Sequence, residues 1–346
     1  MASLFTYIIK RMIQMIPVLI GVLTLVFVLV RFSANDPVIA YLPTQGFTQQ
    51  QYFDMRHHLG LDQPIIIQYL QFMVNLFSGN WGKSGVISKG SDIWPLVMQR
   101  FPRTIEITIL AMIIASVVGI KAGTISAKHR NKVQDTTVRG IALLGVSMPV
   151  FWLGMLMQYF LSYLLKQAGS PFYFPTQGFI TPWFPPIQSV TGFRLIDTII
   201  TGQFYYFIDY LWHLALPVMA LSFITIASIT RQTRSSMLEV LEQDYIRTAR
   251  AKGAREKDVI HSHALKNALI PTVTIIGLNI GALLGGAVLT ETTFNLDGMG
   301  QLMVTALNRS DFFVLYACVF LVAIIFVVAN LVMDLLYAYL DPRIVY

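Results

Sequence analysis

The sequence contains six stretches of roughly 20 or more residues in which apolar side chains predominate. A helix needs about 20 mostly apolar residues to cross the hydrocarbon core of a bilayer. Only 12% of the residues are charged, about half the share that is typical of soluble domains. One soluble core could not bury so many apolar stretches, so the sequence predicts an all-α membrane protein with six transmembrane helices. We place them at Met12–Val30, Ile105–Ala127, Val138–Leu165, Leu211–Thr230, Ala268–Thr290 and Phe312–Leu340.

The lengths of the first and third stretches limit how each can be interpreted. The first is longer than the apolar core of a signal peptide and lacks a small-x-small cleavage site at its end, so we expect it to be retained. The third, like the sixth, is long enough to be tilted or to project into water.

Lys and Arg residues are distributed unevenly between the two sides of the predicted helices. Sixteen of the 25 lie on the side that carries both termini, and the other nine lie in the much longer loops opposite. Because cytoplasmic loops carry an excess of basic residues, both termini are predicted to be cytoplasmic. The chain is then a multi-pass protein of the cell (inner or plasma) membrane.

The spans divide the chain into three regions. Residues 1–31 form the N-terminus and first span, residues 32–103 an external cap, and residues 104–346 a core of five spans with a cytoplasmic loop at 240–266. Within the cap, Thr48–Leu59 has helical character, and Pro and Gly punctuate the rest. A second external segment, Lys166–Tyr210, is rich in Pro, Gly and aromatic residues; it is either an interfacial aromatic belt or a docking surface for an external partner.

The loop between the fourth and fifth spans carries the most informative pattern. From Asp244 to Pro271 it reads DYIRTARAKGAREKDVIHSHALKNALIP. Good helix formers precede Gly253, a residue that can end or bend a helix. A second short helix is predicted to follow, and Pro271 is predicted to open the next span. Such a helix–Gly–helix would lie flat on the cytoplasmic face, with its polar side toward either a partner protein or anionic lipid.

This loop resembles the "EAA" loop of binding-protein-dependent ABC importer permeases, through Arg247-Thr248-Ala249, Gly253 and Ala268–Pro271. Arg247 replaces the Glu of the general motif, which is similar to the "RTARAKG" form of the dipeptide/oligopeptide/nickel branch. In that family the loop is the coupling helix, seated in a groove of the ATPase subunit. The resemblance therefore implies ATPase coupling through Arg247, Thr248, Ala249, Arg250, Lys252, Gly253, Ala254, Asp258 and Pro271.

The resemblance extends along nearly the whole chain. Motifs similar to those of the same branch occur at Asn35–Pro37, Leu59–Pro64, Gln68–Tyr69, Ser147–Gly154, Thr233–Leu238, Glu291–Phe294 and Asp341–Arg343. Two positions depart from the branch, Ala34-Asn35 and Asp297, and they leave two external turns uncertain but not the fold.

The resemblance implies a type I ABC importer permease fold, and it makes this chain the transmembrane permease subunit of an ATP-driven importer. The expected partners are a second homologous permease, two ABC ATPase subunits and an extracytoplasmic solute-binding protein. ATP and magnesium would bind to the ATPases, and no cofactor is expected in this chain. Dipeptides or oligopeptides are the expected solutes, with oligosaccharides, nickel or another small solute as alternatives.

Other functional classes lack support in the residues. The segment Gly79–Ser84 is similar to a phosphate-binding loop, but Phe77 stands where that motif needs Gly. The histidine pairs His57-His58 and His261-x-His263 have no convincing set of further ligands, and Cys318 is the only cysteine. No nucleophile motif is present, and the basic residues lie beside apolar spans, which argues against nucleic acid. We therefore expect no enzyme and no metal site; a stand-alone secondary transporter or channel remains the alternative of a different class, ahead of a membrane enzyme.

Pro149 is the most informative residue within a span. It removes a backbone hydrogen bond, which should leave a kink and a free carbonyl that can line a cavity. The alternative is a kink that serves packing alone. The residues proposed on this basis to line the translocation pathway are Ser147, Met148, Pro149, Phe151, Trp152 and Gln158.

Two sets of residues in the other spans, three glycines and two carboxylates, each allow two structural roles. Gly277, Gly281 and Gly285 are four residues apart on one helix face, which suits close packing either within the chain or at a subunit interface. Glu106 and Asp334 are either satisfied interfacial carboxylates or contacts for the solute.

Overall fold

The computed structural model describes residues 4–32, 36–43, 46–185 and 187–340. These residues form helices and loops, with one isolated antiparallel bridge between Lys83 and Asp92. The helices are α1 (Leu4–Arg31), α2 (Gln49–His58), α3 (Ile65–Ser78), α4 (Ile93–Met98), α5 (Phe101–Lys128), α6 (Val133–Ser147), α7 (Val150–Gln158), α8 (Leu165–Gln167), α9 (Arg194–Ile200), α10 (Phe204–Leu241), α11 (Asp244–Ala251), α12 (Glu256–Asp258), α13 (Leu265–Thr293), α14 (Met299–Asn308) and α15 (Phe312–Leu340). Two π-helical turns, Tyr159–Leu164 and Val259–Ala264, precede α8 and α13.

Within the described ranges, five helical stretches are long and apolar enough to cross a membrane. They are Ile9–Arg31, Ile93–Lys128, Phe204–Leu241, Glu256–Gly285 and Phe312–Met333. Each overlaps one of the predicted spans, which confirms five of the six as membrane-crossing candidates.

The remaining predicted span is a bent pair of helices. α6 ends at Ser147, and the stretch from Val150 to Gln167 leaves it at an angle of 106°. Pro149 has an extended ψ of 136°, and its nitrogen has no hydrogen to donate to the preceding turn. The kink expected at Pro149 is therefore a break, and Val138–Leu165 does not run as one helix.

Helices α5, α10 and α13 form the centre of the bundle. Gly123 of α5 lies so close to α10 that a Cβ there would be 2.6 Å from the Cβ of Thr233. Where lipid surrounds a bundle, small residues of this kind let helices approach and gain van der Waals contact. The bundle has two ends: a cap side with α2–α4, α9 and α14, and an α11 side, where α10 ends and α13 begins.

The cap segment is fastened to the start of α15. Asp311 is fully buried, and its Oδ2 accepts hydrogen bonds from the Ser84 hydroxyl at 2.6 Å and from the amides of Val86 and Ile87 at 3.1 and 3.2 Å. The helix predicted at Thr48–Leu59 is confirmed as α2. It begins with a capping box in which Thr48 and Gln51 each accept a hydrogen bond from the other's amide.

Glu291 joins three helices on the cap side. Its carboxylate is fully buried, accepts the Thr104 hydroxyl hydrogen at 2.5 Å and accepts the Gln301 amide at 3.0 Å. The Thr104 oxygen in turn accepts the Met299 amide at 2.8 Å. A carboxylate at the first turn of α14 is favoured because the free amides there carry partial positive charge. α5, α13 and α14 are therefore tied together around one acid.

Asp297, one of the two positions that depart from the pattern of the similar family, is paired with two arginines. Its carboxylate lies 2.6 Å from Nε of Arg100 and 2.7 Å from Nη1 of Arg103, both at the start of α5. Arg103 also donates to the backbone carbonyl of Asp297 at 2.8 Å. The other departure, Ala34-Asn35, lies outside the described residues.

Two of the three spaced glycines in α13 pack within the chain. A Cβ on Gly277 would meet the Met333 side chain, and one on Gly281 would meet the Phe326 ring, both in α15. A Cβ on Gly285 would meet nothing within 4 Å. The first two glycines therefore serve the contact between α13 and α15.

Glu106 and Asp334 are the two ionisable residues that the sequence places within predicted spans. Glu106 accepts hydrogen bonds from the Tyr210 hydroxyl at 2.6 Å and from the Leu195 amide at 2.7 Å, so it is a satisfied carboxylate. The side chain of Asp334 and the motif Asp341–Arg343 lie outside the described residues.

Candidate functional site

The loop between α10 and α13 folds as a compact element on the α11 side. Only two residues separate the end of α10 from the start of α11 at Asp244. Ile246 is fully buried and packs with Val259, Ile260 and Ala264 of the following π-helical turn. One face of α11 is therefore held against the bundle, while the rest of the helix is left outside. We call residues Asp244–Ala264 the α11 element.

Gly253 turns the chain at the end of α11. Its φ is 76°, a left-handed value that is unfavourable for residues with a Cβ. The Gly253 amide donates to the Arg250 carbonyl at 3.0 Å, and the Ala254 amide donates to the Ala249 carbonyl at 3.2 Å. This pair of bonds is the Schellman arrangement, which satisfies the last carbonyls of a helix. Of the two roles expected for Gly253, ending or bending the helix, the structure shows the first.

Charge pairs hold the two arms of the α11 element together. Arg250 donates from Nε and Nη2 to the two oxygens of Glu256, at 3.2 and 2.9 Å, across the Gly253 turn. This hydrogen-bonded carboxylate raises the pKa of Arg250 above its ordinary value. Arg255 pairs with Asp258 at 2.8 Å within the second arm. Bidentate pairing fixes geometry as well as charge, so the Arg250–Glu256 pair sets how the two arms meet across the Gly253 turn.

The structure brings together eight of the nine residues that the sequence assigned to coupling. Arg247, Thr248, Arg250, Lys252 and Gly253 are exposed, whereas Ala249, Ala254 and Asp258 are half-buried. Pro271 lies elsewhere: it is inside α13, six residues after that helix begins. The expectation that Pro271 opens the span is therefore wrong. The helical stretch already begins before the proline, and prolines are tolerated inside membrane helices where neighbouring groups satisfy the freed backbone.

A buried ion pair supports the base of α10 next to the α11 element. Asp135 in the first turn of α6 is fully buried and accepts two hydrogen bonds from Arg234, at 2.7 Å from Nε and 2.9 Å from Nη2. The Ser126 hydroxyl and the Asn131 amide donate to the same carboxylate at 2.5 and 3.0 Å. The α5–α6 connection and α10 are thus locked together one to two turns before α10 ends.

Comparison with known proteins identifies the family. Residues 119–346 match the family described as "Binding-protein-dependent transport system inner membrane component", and residues 4–108 match the family described as "Binding-prot-dependent transport system membrane comp, N-term". The chain belongs to this transport family. It is therefore a multi-pass membrane component of a transport system and not a catalytic enzyme.

Relatives in this transport family align over nearly the whole chain. The dipeptide transport system permease protein DppB of Alkalihalophilus pseudofirmus is 43% identical over 345 residues, 99% of this chain and 100% of the relative. DppB of Escherichia coli K12 is 40% identical over 98% of both chains. The oligopeptide transport system permease protein AppB of Bacillus subtilis is 36% identical over 98% of this chain and 99% of its own length. An amino acid ABC transporter of known structure aligns with 13% identity and a TM-score of 0.47, covering 72% of this chain and 94% of the other, a similarity too low to support a conclusion.

Five of the six residues suggested for the translocation pathway fall at the break between α6 and α7. Ser147, Pro149, Phe151 and Trp152 are exposed and Met148 is half-buried. Gln158 is engaged internally: its amide nitrogen donates to the carbonyls of Thr176 and Thr293, at 3.0 and 3.2 Å. A cavity of about 570 Å³ lies further toward the α11 side, between α5, α6 and α10, and none of the six residues line it.

Sequence reasoning missed the two acids that organise the ends of this transport protein. Asp135 and Asp311 were given no role, although each stands at the start of a helix that follows a short polar turn. The signal that could have pointed to Asp135 is an acidic residue in the first turn of an apolar span, where a carboxylate needs a partner. For Asp311 the signal is its place directly before the apolar run of α15.

Proposed function

We propose that this chain is the permease subunit of an ATP-driven importer of dipeptides or oligopeptides. The single observation that carries the proposal is the similarity, over 98–99% of the chain, to permeases named for dipeptide and oligopeptide transport. This similarity favours peptides over oligosaccharides, nickel or another small solute.

In this proposal the α11 element is the surface on which an ATPase subunit acts. Its exposed polar residues offer a docking face, and its internal charge pairs keep it rigid. It is joined to α10 by two residues and runs through the π-helical turn into α13. A displacement of α11 would therefore reach two central helices directly, and nucleotide-driven movement would shift the bundle between inward-open and outward-open states.

The remaining parts of the importer are separate chains. A second homologous permease completes the channel, two ATPases bind ATP and magnesium, and an extracytoplasmic binding protein delivers the solute. The excess of Lys and Arg on the α11 side supports a cytoplasmic position for that side and for both termini. Phe172, Trp183 and Tyr205 are exposed on the cap side and give the binding protein an aromatic surface to contact.

The stretch Ser147–Trp152 is the proposed wall of the solute pathway. The break at Pro149 leaves backbone groups of a membrane helix without helical partners, and such groups are tolerated where they face a water-filled cavity. Gln158 anchors the other end of α7, through its hydrogen bonds to the carbonyls of Thr176 and Thr293.

Reconstitution tests the proposal. The chain is expressed with a tag and purified with whatever subunits it retains, and the complex is placed in proteoliposomes with ATP inside and a radiolabelled dipeptide outside, together with the external binding protein. We expect uptake that requires ATP hydrolysis and stops with an ATPase subunit unable to hydrolyse ATP. Uptake of dipeptide by the isolated chain would contradict the proposal and indicate a secondary transporter or channel. Uptake of a disaccharide or Ni²⁺ in place of the dipeptide would contradict the solute assignment alone.

A further inference from the structure

Helix α3 has its apolar face on the outside. Ile66, Leu70, Val74 and Phe77 are spaced four, four and three residues apart, which places them in one stripe, and each is more than half exposed. The buried side chains of the same helix, Gln68 and Leu76, point away from this stripe. A continuous exposed apolar stripe is unfavourable in water. Since α3 lies beside the cap-side end of α1, the stripe is placed to contact membrane lipid, as in a helix that lies in the plane of the interface.

The inner face of α3 covers a cavity of about 190 Å³. The end of α1, the loop at residues 59–61 and the start of α15 form its other walls. The rings of Phe27 and Phe72 lie 5.3 Å apart between their centroids, and those of Phe72 and Tyr316 lie 4.6 Å apart, so these walls are aromatic. Because one membrane helix ends here and another begins, the cavity lies at the membrane surface and not at its centre.

Arg31 supplies a positive charge to this cavity. Its side chain is half-buried, and its Nη2 donates one hydrogen bond to the Leu61 carbonyl at 3.4 Å. Among the described residues no carboxylate forms an ion pair with it. A guanidinium group has further N–H donors in a planar fork, which suits the oxygens of a phosphate group.

Gln68 supplies an acceptor beside that charge. The residue is 8% exposed, and its Nε2 donates to the Gln63 carbonyl at 2.6 Å and to the Leu61 carbonyl at 3.3 Å. These bonds fix the amide plane, and they leave Oε1 buried with no donor among the described residues. Arg31, Arg56 and Gln68 all donate to the Leu61 oxygen, so the amide group of Gln68 lies near two guanidinium groups. A buried acceptor without a donor is unfavourable, so a bound molecule that brings an N–H or O–H group would complete the site.

We propose that this cavity binds the headgroup of one phospholipid from the leaflet on the cap side. The phosphate pairs with Arg31, and an ammonium or hydroxyl group of the headgroup donates to Oε1 of Gln68. The acyl chains then leave between the aromatic walls into the lipid that contacts the α3 stripe. Phosphatidylethanolamine and phosphatidylglycerol carry the required donor, whereas phosphatidylcholine does not. This proposal depends on the membrane position of the chain and not on the solute that it transports.

Native mass spectrometry of the purified full-length chain tests the proposal, with each of the three phospholipids added in turn. We expect one phosphatidylethanolamine or phosphatidylglycerol to be retained at least fivefold more than phosphatidylcholine. Arg31→Gln removes the phosphate partner, and Asn75→Trp adds bulk at the rim of the cavity; each should lower retention at least fivefold. The matched control is Arg309→Gln, an exposed arginine on the same side that does not line the cavity, and it should leave retention unchanged.

Three outcomes would overturn the proposal. The first is equal retention of the three phospholipids, and the second is unchanged retention in both Arg31→Gln and Asn75→Trp. The third is displacement of the phospholipid by a dipeptide, which would make the cavity a solute site. A second measurement covers variants that fail to fold: Val74→Cys on the stripe should react at least tenfold more slowly with a water-soluble maleimide than Ser78→Cys at the end of α3. Equal reaction rates would place the stripe in water and contradict the proposal.

Discussion

Asp135 and Arg234 form a bidentate ion pair in which the carboxylate is fully buried, with N–O distances of 2.7 and 2.9 Å. Ninety-nine residues separate them in sequence. The pair closes the α5–α6 connection onto α10 shortly before α10 passes into the α11 element. It therefore ties the helix that leads into the α11 element to the centre of the bundle.

Breaking this pair from one side should destabilise the protein strongly. Arg234→Met leaves the Asp135 carboxylate buried without its cation, which we expect to lower the free energy of unfolding by about 3–5 kcal/mol. Thermal unfolding of the purified chain in detergent measures the loss. The double variant Asp135→Leu with Arg234→Met should lose less than the two single variants together, because no unpaired charge remains.

The matched control is Arg130→Gln, which removes an exposed pair with Glu242. Exposed pairs contribute between about 0 and 1 kcal/mol, so its unfolding temperature should stay near that of the wild type. Equal losses in Arg130→Gln and Arg234→Met would contradict the structural role of the buried pair.

Gly253 should tolerate asparagine and reject proline. Its φ of 76° is a value that Asn adopts more readily than other residues with a Cβ, whereas Pro is fixed near −65° and lacks the N–H that donates to Arg250. We expect Gly253→Pro to reduce ATP-dependent uptake at least tenfold while the chain is still found in the membrane, and Gly253→Asn to retain about half of the uptake or more. Wild-type uptake in Gly253→Pro would count against the coupling role of the turn.

Ala249 tests the α11 surface without changing the backbone. It is half-buried on α11, and its carbonyl accepts the Ala254 amide at the Gly253 turn. Ala249→Asp puts a negative charge where a docked ATPase would contact the helix, and it should reduce both uptake and the amount of ATPase that co-purifies. Ala249→Ser, the small polar control, should reduce neither. Equal co-purification with both variants would show that this position lies outside the contact.

The anchor at Asp311 can be tested by proteolysis. Asp311→Ala removes the acceptor of three hydrogen bonds from the segment Ser84–Ile87, so this segment should open more often. Lys83 and Lys89, which flank it and are exposed, should then be cut by trypsin several times faster in the purified chain. Asp62→Ala, at an exposed acid paired with His57, should leave the cleavage rate unchanged. No increase in Asp311→Ala would mean that other contacts hold the cap.

Local patterns made much of this fold predictable. The spans follow from apolar length, α2 from Thr48 and Gln51 in a capping box, and the turn after α11 from Gly253. In each case the residues that decide the structure lie within one span or one turn of each other. Physical preferences of the backbone and of the bilayer are then sufficient to place the element.

The remaining features of the fold could not be predicted from local sequence patterns. A proline predicts that the helix is disturbed near Ser147, but it does not predict the angle between the two helices that result. Asp311 finds its donors more than 220 residues away, and nothing local to it names Ser84. Pro271 was misplaced because the helical stretch begins before it, through the π-helical turn Val259–Ala264, and side-chain patterns carry little signal for such turns.

The proposed contact between the α11 element and an ATPase is tested most directly by site-specific cross-linking. Cys318 is the only cysteine and is fully buried, so Cys318→Ser provides a background for Lys252→Cys on α11 and Lys89→Cys on the cap. We predict that Lys252→Cys cross-links to an ATPase subunit and reacts with an impermeant maleimide only after the membrane is opened, whereas Lys89→Cys reacts in sealed spheroplasts and forms no such cross-link. Labelling of Lys252→Cys from outside sealed spheroplasts, or its failure to cross-link to any ATPase, would contradict the account.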